Sequence, residues 1–306
     1  MNFFLFCKSY AGDLSRVISL YKSIKLFNRD SIPFYLCVPK KDLKLFQSNL
    51  ENESNGIHWI VDEDLILSNP SVTLDKYNKW DGRLSQQVIK SEFWRYLEMK
   101  YEGKSSSSYL CIDSESQFIK DFYLTDFLDD DKNPYTVIHQ NKELLQLADN
   151  KKIDKVSRHY YEDSIALKNI FKRSGPDYDF GPTPVIWSSK VWNDLDNNYL
   201  KPNGMTIWDA VELYPSELRW YGEALLAFKS IDMHPLEPMF RVYHYDWQYF
   251  FLKKIGENED SIRKNYLGIL KQSNWEYAMD YGEHAKRKSF ISRQLRKLKR
   301  LLVQLR

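Results

Sequence analysis

Four apolar runs punctuate the first third of the chain: FFLFC (3–7), PFYLCV (33–38), IHWIV (57–61) and YLCI (109–112). Segments of helical spacing separate them. Leu14, Val17, Ile18, Leu20, Tyr21 and Ile24 recur at close to one per helical turn, and Asp13 stands where an N-cap would. DLKLFQSNL (42–50) and SQQVIKSEFWRYLEMK (85–100) read as two more helices. Strands alternating with helices imply parallel pairing, with helices covering the sheet faces. The strands are placed at 2–8, 32–39, 57–64 and 109–113, and YTVIHQ (135–140) reads as a fifth.

Beyond residue 140 the pattern loosens. Residues 149–163 are charged and read as helix or surface. GPTPVIWSSKVWNDL (181–195) holds a Gly-Pro turn, a short strand and a helix start. Pro215 and Ser216 open a helix over 215–230, and MFRVYHYDWQYFF (239–251) is strand-like and aromatic. No Gly/Pro-rich linker divides the chain. The reading is one α/β domain over 1–284, with halves 1–140 and 141–284, followed by a basic tail over 285–306.

No run approaches the roughly 20 apolar residues of a membrane span, and NFFLFC reads as a strand, not as a leader peptide. Cys7, Cys37 and Cys111 each lie in an apolar run, which predicts buried thiols and a reducing, cytoplasmic setting. With nine Trp and twenty-one Tyr, the chain has aromatics for a sugar-binding surface or for a core of large side chains. No zinc spacing, G-x-S-x-G elbow or P-loop occurs.

The chemistry concentrates where YLCID ends. Asp113 and Glu115 close an apolar strand, and ligands of open α/β sheets sit beyond the carboxyl ends of strands. Alternate residues of an extended segment share a face. Two hard carboxylates so placed suit Mg²⁺ or Mn²⁺, which neutralises a diphosphate. Gln86, Gln87 and Lys90 lie within about a turn of one helix, with Gln86 and Lys90 at i and i+4 on a common face. Glu217 opens the 215–230 helix, where the helix dipole is expected to lower its pKa. Glu223 lies two turns further on, and Gly222 offers close approach to the backbone.

In their order, KSYAGDLSR, QQVIKSEFWRY, IDSESQFIKDF, PVIWSS, SELRWYG, EPMFRVYHYDWQY and YLGILKQSNW resemble nucleotide-sugar glycosyltransferases of the GT-A fold. More narrowly, they resemble bacterial polysaccharide-type enzymes that carry the DxD motif as DSD or DSE. The likeness covers most of residues 2–275, and Glu115 departs from the commoner Asp. It implies a GT-A-like, Rossmann-like, mostly parallel sheet and a nucleotide-sugar donor, with UDP as the leading carrier. It implies a glycan or lipid-linked acceptor and a divalent cation on Asp113 and Glu115, with His244, and less so His234, as an added ligand or a diphosphate contact. Ser9, Tyr10 and Asp13 would hold the nucleoside, with Tyr10 stacked on the base, while Gln86, Gln87, Lys90 and Asp113 contact the rest of the donor. Glu217, or failing it Glu223, would be the base of an inverting transfer. Two other readings stand beside it: a sugar nucleotidyltransferase, disfavoured because SYAGDLSR has one Gly and one Arg, and a non-catalytic glycan-binding protein.

The formal charge of +2 is unevenly spread: residues 285–306 carry nine Lys or Arg and no acid, which leaves −7 for the body. Ile291, Leu295, Leu298, Leu302 and Leu305 draw one apolar stripe along the tail. Such a helix suits an anionic membrane surface, here the inner face of the plasma membrane; packing on the body, or pairing as a homodimer coiled coil, is its other use. The acidic body argues against nucleic acid as a partner.

Overall fold

The computed structural model describes residues 2–50, 56–80, 82–101, 107–272 and 289–305. It is a mixed α/β structure around a five-stranded, mostly parallel sheet flanked by helices. The sheet contains β1 (Asn2–Lys8), β2 (Phe34–Val38), β3 (Ile57–Val61), β4 (Ser107–Asp113) and β7 (Val185–Ser188), in the order β3-β2-β1-β4-β7. Only β7 runs antiparallel, against β4. β5 (Ser116–Phe118), β9 (Phe240–Tyr243) and β10 (Gly268–Lys271) form a three-stranded sheet; β6 (Tyr135–Val137) and β8 (His234–Leu236) form a pair of their own.

The helices follow the chain. α1 (Leu14–Phe27), α2 (Leu43–Leu50), α3 (Asp62–Leu67), α4 (Leu74–Lys79) and α5 (Gly82–Lys100) belong to the first half. α6 (Lys142–Asn150), α7 (Asp154–Ile170), α8 (Ser189–Leu195), α9 (Ile207–Leu213) and α10 (Glu217–Phe228) come next. α11 (Asp246–Lys254), α12 (Glu259–Asn265) and α13 (Phe290–Leu305) end the described chain.

Three details differ from the sequence reading. The third strand stops at Val61, because Asp62, Glu63 and Asp64 begin α3. The fifth strand is only Tyr135–Val137 and joins β8, not the central sheet; β7 takes that place. The aromatic run after Met239 is strand only through Tyr243, and from Asp246 it winds into α11. The proposed tail start, 285–288, lies outside the described residues, and the helix is described from Phe290.

The core explains the aromatic content. Phe6, Tyr109 and Trp187, on β1, β4 and β7, stand side by side; Phe93 of α5 stacks on Phe6 at 3.9 Å and meets Tyr109 edge-on at 4.9 Å. Such offset and edge-on pairs add about 0.5–1.5 kcal/mol each beyond area burial. Trp187, Trp192, Trp208 and Trp220 are all within 2% of full burial, so these large rings are core and not a sugar platform. One apolar cluster runs from Phe3 to Leu270. All three cysteines are buried free thiols.

A loop and a helix of the second half mesh through two glycines. Phe180 packs its ring on Gly222 of α10, and Leu218 of α10 lies where a Cβ on Gly181 would be, 2.6 Å away. Gly222 therefore admits Phe180, not an outside molecule. A Cβ at position 222 collides with the Phe180 ring, and over-packing of this kind costs about 1–3 kcal/mol. We expect Gly222→Ala to lower stability toward the upper end of that range in urea unfolding; a cost under about 0.5 kcal/mol would show that the loop yields freely.

Candidate active site

The chain enters the sheet at its centre. It runs β1, β2, β3 to one side, then returns through α5 to place β4 on the other side of β1. The carboxyl ends of β1 and β4 therefore diverge at a topological switch point, the place where open α/β sheets bind ligands. Lys8 and Asp113, the last residues of these two strands, are register partners. A cavity of about 1050 Å³ opens there.

The first loop supplies Ser9, Tyr10 and Asp13 to the cavity wall. Ser9 is buried, and its Oγ has no hydrogen-bond partner among the described residues. Tyr10 is half exposed and packs against Gly12. Asp13 occupies the N-cap position of α1 but makes no side-chain cap bond; it accepts from Arg16 Nη1 at 2.9 Å.

Asp113 and Glu115 line the same cavity from the end of β4. The alternation argument gives the right neighbours for a different reason: β4 ends at Asp113, and Ser114 and Glu115 form the turn into β5. Asp113 is held on both oxygens. Lys90 Nζ donates to Oδ1 and the Thr183 hydroxyl to Oδ2. Glu217 Oε1 lies 3.8 Å from the same ammonium. Lys90 sits on the inner side of α5, between Ile89 and Phe93 turns that pack on the sheet, so its ammonium is buried.

Burial by itself would lower the Lys90 pKa; the charges of Asp113 and Glu217 more than reverse this, leaving the lysine firmly protonated. Glu217 does open α10, with Ser216 as its N-cap accepting from Arg219 N. Its pKa moves opposite to the dipole expectation. Burial raises it, the Lys90 charge offsets part of that, and Asp113 adds to the rise.

The remaining sequence candidates scatter. Gln86 faces the cavity, whereas Gln87, one residue and about 100° further round the helix, is buried and does not line it. Glu223 is fully buried and gripped by Arg173 at 2.5 and 2.9 Å, which leaves it outside the cavity as a structural ion pair. His244 lines a second cavity and approaches Gln272 Nε2 through Nδ1 at 3.4 Å. His234, in β8, pairs instead with Asp129 at 3.4 Å.

Sequence reasoning missed Thr183, whose partner is seventy residues away. It also missed the deep wall, where Asp62 receives Lys8 Nζ at 2.9 Å, Tyr77 OH at 2.7 Å and Cys37 Sγ at 3.3 Å. The signal for Lys8 was present: a lysine closing FFLFC at the strand's carboxyl end.

The donor set fits a divalent cation as a two-carboxylate site. Asp113 and Glu115 open on one cavity, and each Asp113 oxygen keeps a second lone pair beyond its bond to Lys90 or Thr183. Mg²⁺ is commonly held by one or two carboxylates plus substrate phosphates. Among the described residues no group of three or more His, Cys, Asp or Glu is placed to hold a metal, and His244 lines the other cavity.

A profile described as a family of unknown function (DUF6492) matches residues 5–277, and the chain belongs to that family. No curated protein matches it. Among solved structures, the galactosyltransferase LgtC in complex with donor and acceptor sugar analogues is 12% identical, with a TM-score of 0.49, over 97% of this chain and 95% of that one. Mouse xyloside xylosyltransferase 1 in its apo form is 9% identical, also at 0.49, over 90% of this chain and 99% of that one.

Removing the ammonium leaves Asp113 and Glu217 facing each other without a counter-charge. Breaking one partner of a buried pair costs about 3–5 kcal/mol. Lys90→Met is expected to lose that much in urea unfolding, and adding Asp113→Asn to it should recover part of the loss.

Proposed function

We propose that the protein is a GT-A-like glycosyltransferase that moves a sugar from a nucleotide-sugar donor, with UDP as the leading carrier, to a glycan or lipid-linked acceptor in bacterial surface polysaccharide synthesis. One observation carries the reading: the acidic Asp113-Ser114-Glu115 turn and the Ser9–Asp13 loop face a single large cavity at the sheet's switch point, beside the buried Lys90. In this reading Ser9 and Asp13 hydrogen-bond the nucleoside and Tyr10 covers its base. Gln86 reaches the donor from α5. Lys90 fixes the Asp113 carboxylate in one rotamer and adds positive charge next to the departing diphosphate. A divalent cation on Asp113 and Glu115 supplies neutralisation of that leaving group. Glu217, which reaches the site through Lys90 at 3.8 Å and does not itself line the cavity, takes the acceptor hydroxyl's proton: a raised pKa makes its carboxylate a stronger base, while Lys90 favours the anion.

The tail fits a peripheral enzyme. α13 docks on the body by one flank, with Arg300 over the Phe250 ring at 4.4 Å and 3.9 Å from Asp246, and with Val303 against the Leu144–Trp247 cluster. The opposite flank carries Ile291, Leu295, Leu298, Leu302 and Leu305, all more than half exposed. No described helix is long and apolar enough to cross a membrane. We assign this flank and the basic charge around it to the anionic inner face of the plasma membrane, reached from the cytoplasm.

Three measurements test the reading. UDP or a UDP-sugar with Mn²⁺ should raise the melting temperature of the wild type and fail to do so for Asp113→Asn; no shift with any nucleotide diphosphate rejects a donor site. In a transfer assay, the acid limb of the pH profile should lie above the ordinary glutamate value of about 4.3. Because the group acts as the anion, activity is lost as pH falls through this raised pKa, and Glu217→Gln should abolish the limb together with most turnover. Retention of anomeric configuration would remove the base role. Deleting residues 285–306 should abolish co-sedimentation with phosphatidylglycerol vesicles without changing the nucleotide response, and a tail-dependent dimer with no vesicle binding would overturn the membrane assignment.

A further inference from the structure

A second cavity, of about 570 Å³, lies beside the first and is not used by the donor reading. It is within the size range of small-molecule sites, roughly 300–1,000 Å³. The two cavities share a thin partition at two points. Pro182 lines the second cavity, and the next residue, Thr183, donates its hydroxyl to Asp113 in the first. Gln272 lines the first cavity and reaches His244 in the wall of the second at 3.4 Å.

The lining of the second cavity differs in kind. Tyr178 and Tyr266 give it aromatic surface, and Gln140 and Asn141 give it planar amides. Its guanidinium is already neutralised: Arg241 bonds both oxygens of Glu143 at 2.7 Å and lies 2.8 Å from Glu257. Lys142 and Glu237 balance one another in formal charge. Nothing in this lining favours an anion. Rings that cover an apolar C–H face, with amides and carboxylates that bond a rim of hydroxyls, match an uncharged sugar.

The partition itself is held from the second-cavity side. Asn141 N donates to His139 Nδ1 at 3.3 Å, which leaves Nε2 as the ring's N–H, donating to Gly181 O at 2.6 Å. Asp179 accepts from Gly181 N at 3.2 Å and from Asn141 Nδ2 at 3.1 Å. The segment that carries Thr183 toward Asp113 is thus tied at Gly181 to the floor of the second cavity.

We propose that the second cavity is the acceptor site and that it takes a neutral saccharide, whose hydroxyl is presented across the Pro182–Thr183 partition to the donor. This rests on the transferase reading above, which it deepens by naming the acceptor class and its residues.

The test uses the full chain and a panel of neutral probes: the methyl glucosides, the methyl galactosides, lactose and maltose. Saturation-transfer NMR reads saccharide contact, and the UDP–Mn²⁺ thermal shift reads the donor cavity separately. At least one saccharide should respond with the wild type. Tyr178→Ala, which removes a ring, and Gln140→Trp, which fills the space, should each cut that response about tenfold and leave the UDP shift unchanged. No response from any panel member overturns the site, as does a response that survives both variants. A loss accompanied by an equal loss of the UDP shift also overturns it, because the two cavities would then not be separate. A saccharide response that both variants abolish, with no UDP shift even in the wild type, supports the saccharide site and sinks the transferase reading.

Discussion

The contact between the buried Lys90 ammonium and the partly exposed Asp113 carboxylate organises everything around it. Four distant stretches of chain meet there: the middle of α5, the end of β4, the loop before β7 and the start of α10. An ammonium so deeply enclosed is tolerable only because two carboxylates face it and a hydroxyl occupies the far side of one of them. One ammonium therefore faces two carboxyl groups at once, Asp113 in contact and Glu217 at 3.8 Å. The same demand fixes the site's shape, since a sliding α5 or a shifted α10 would strand a charge in the core.

The sheet supplies the hole and the cluster supplies its chemistry. Because β1 is central and the chain departs from it in both directions, a crevice must open beyond Lys8 and Asp113. The cavity is therefore a product of topology, with polar residues added at its rim. The second cavity has another origin. It forms between the two minor sheets and the loop that carries Thr183, and it is bounded by α6 and α11 through Leu144 and Gln248. These are also the helices on which the basic tail rests.

The first half of the fold is legible in the sequence because its strands are long apolar runs of five to seven residues. The second half is less so. β6, β8, β9 and β10 have three or four residues each, too short for a two-residue period to stand out. Asp113, Glu115 and the Ser9–Asp13 loop could be found because strand ends are marked by the switch from apolar to polar. Gln87 shows the limit of counting along a helix, where one position turns a side chain from cavity to core. Glu217 shows the limit of local electrostatics: its place at a helix start was readable, but burial, a tertiary fact, decides the sign of its pKa. Thr183 was unreadable because nothing near it in sequence announces a carboxylate seventy residues away.

The interlocked pair of glycines in the second half carries a consequence for how the protein can vary. Phe180 fills the place a side chain would take on Gly222, and Leu218 fills the place one would take on Gly181. Each large residue is matched to a missing one on the facing element, and both contacts lie within a few residues of groups that touch Asp113 or Lys90. Drift at any of these four positions is therefore a paired event. A side chain gained on the helix is accommodated by one lost from the loop, so Phe180→Ala is a natural second-site suppressor of Gly222→Ala. Sequences that keep the acidic turn should exchange bulk between these positions as a unit.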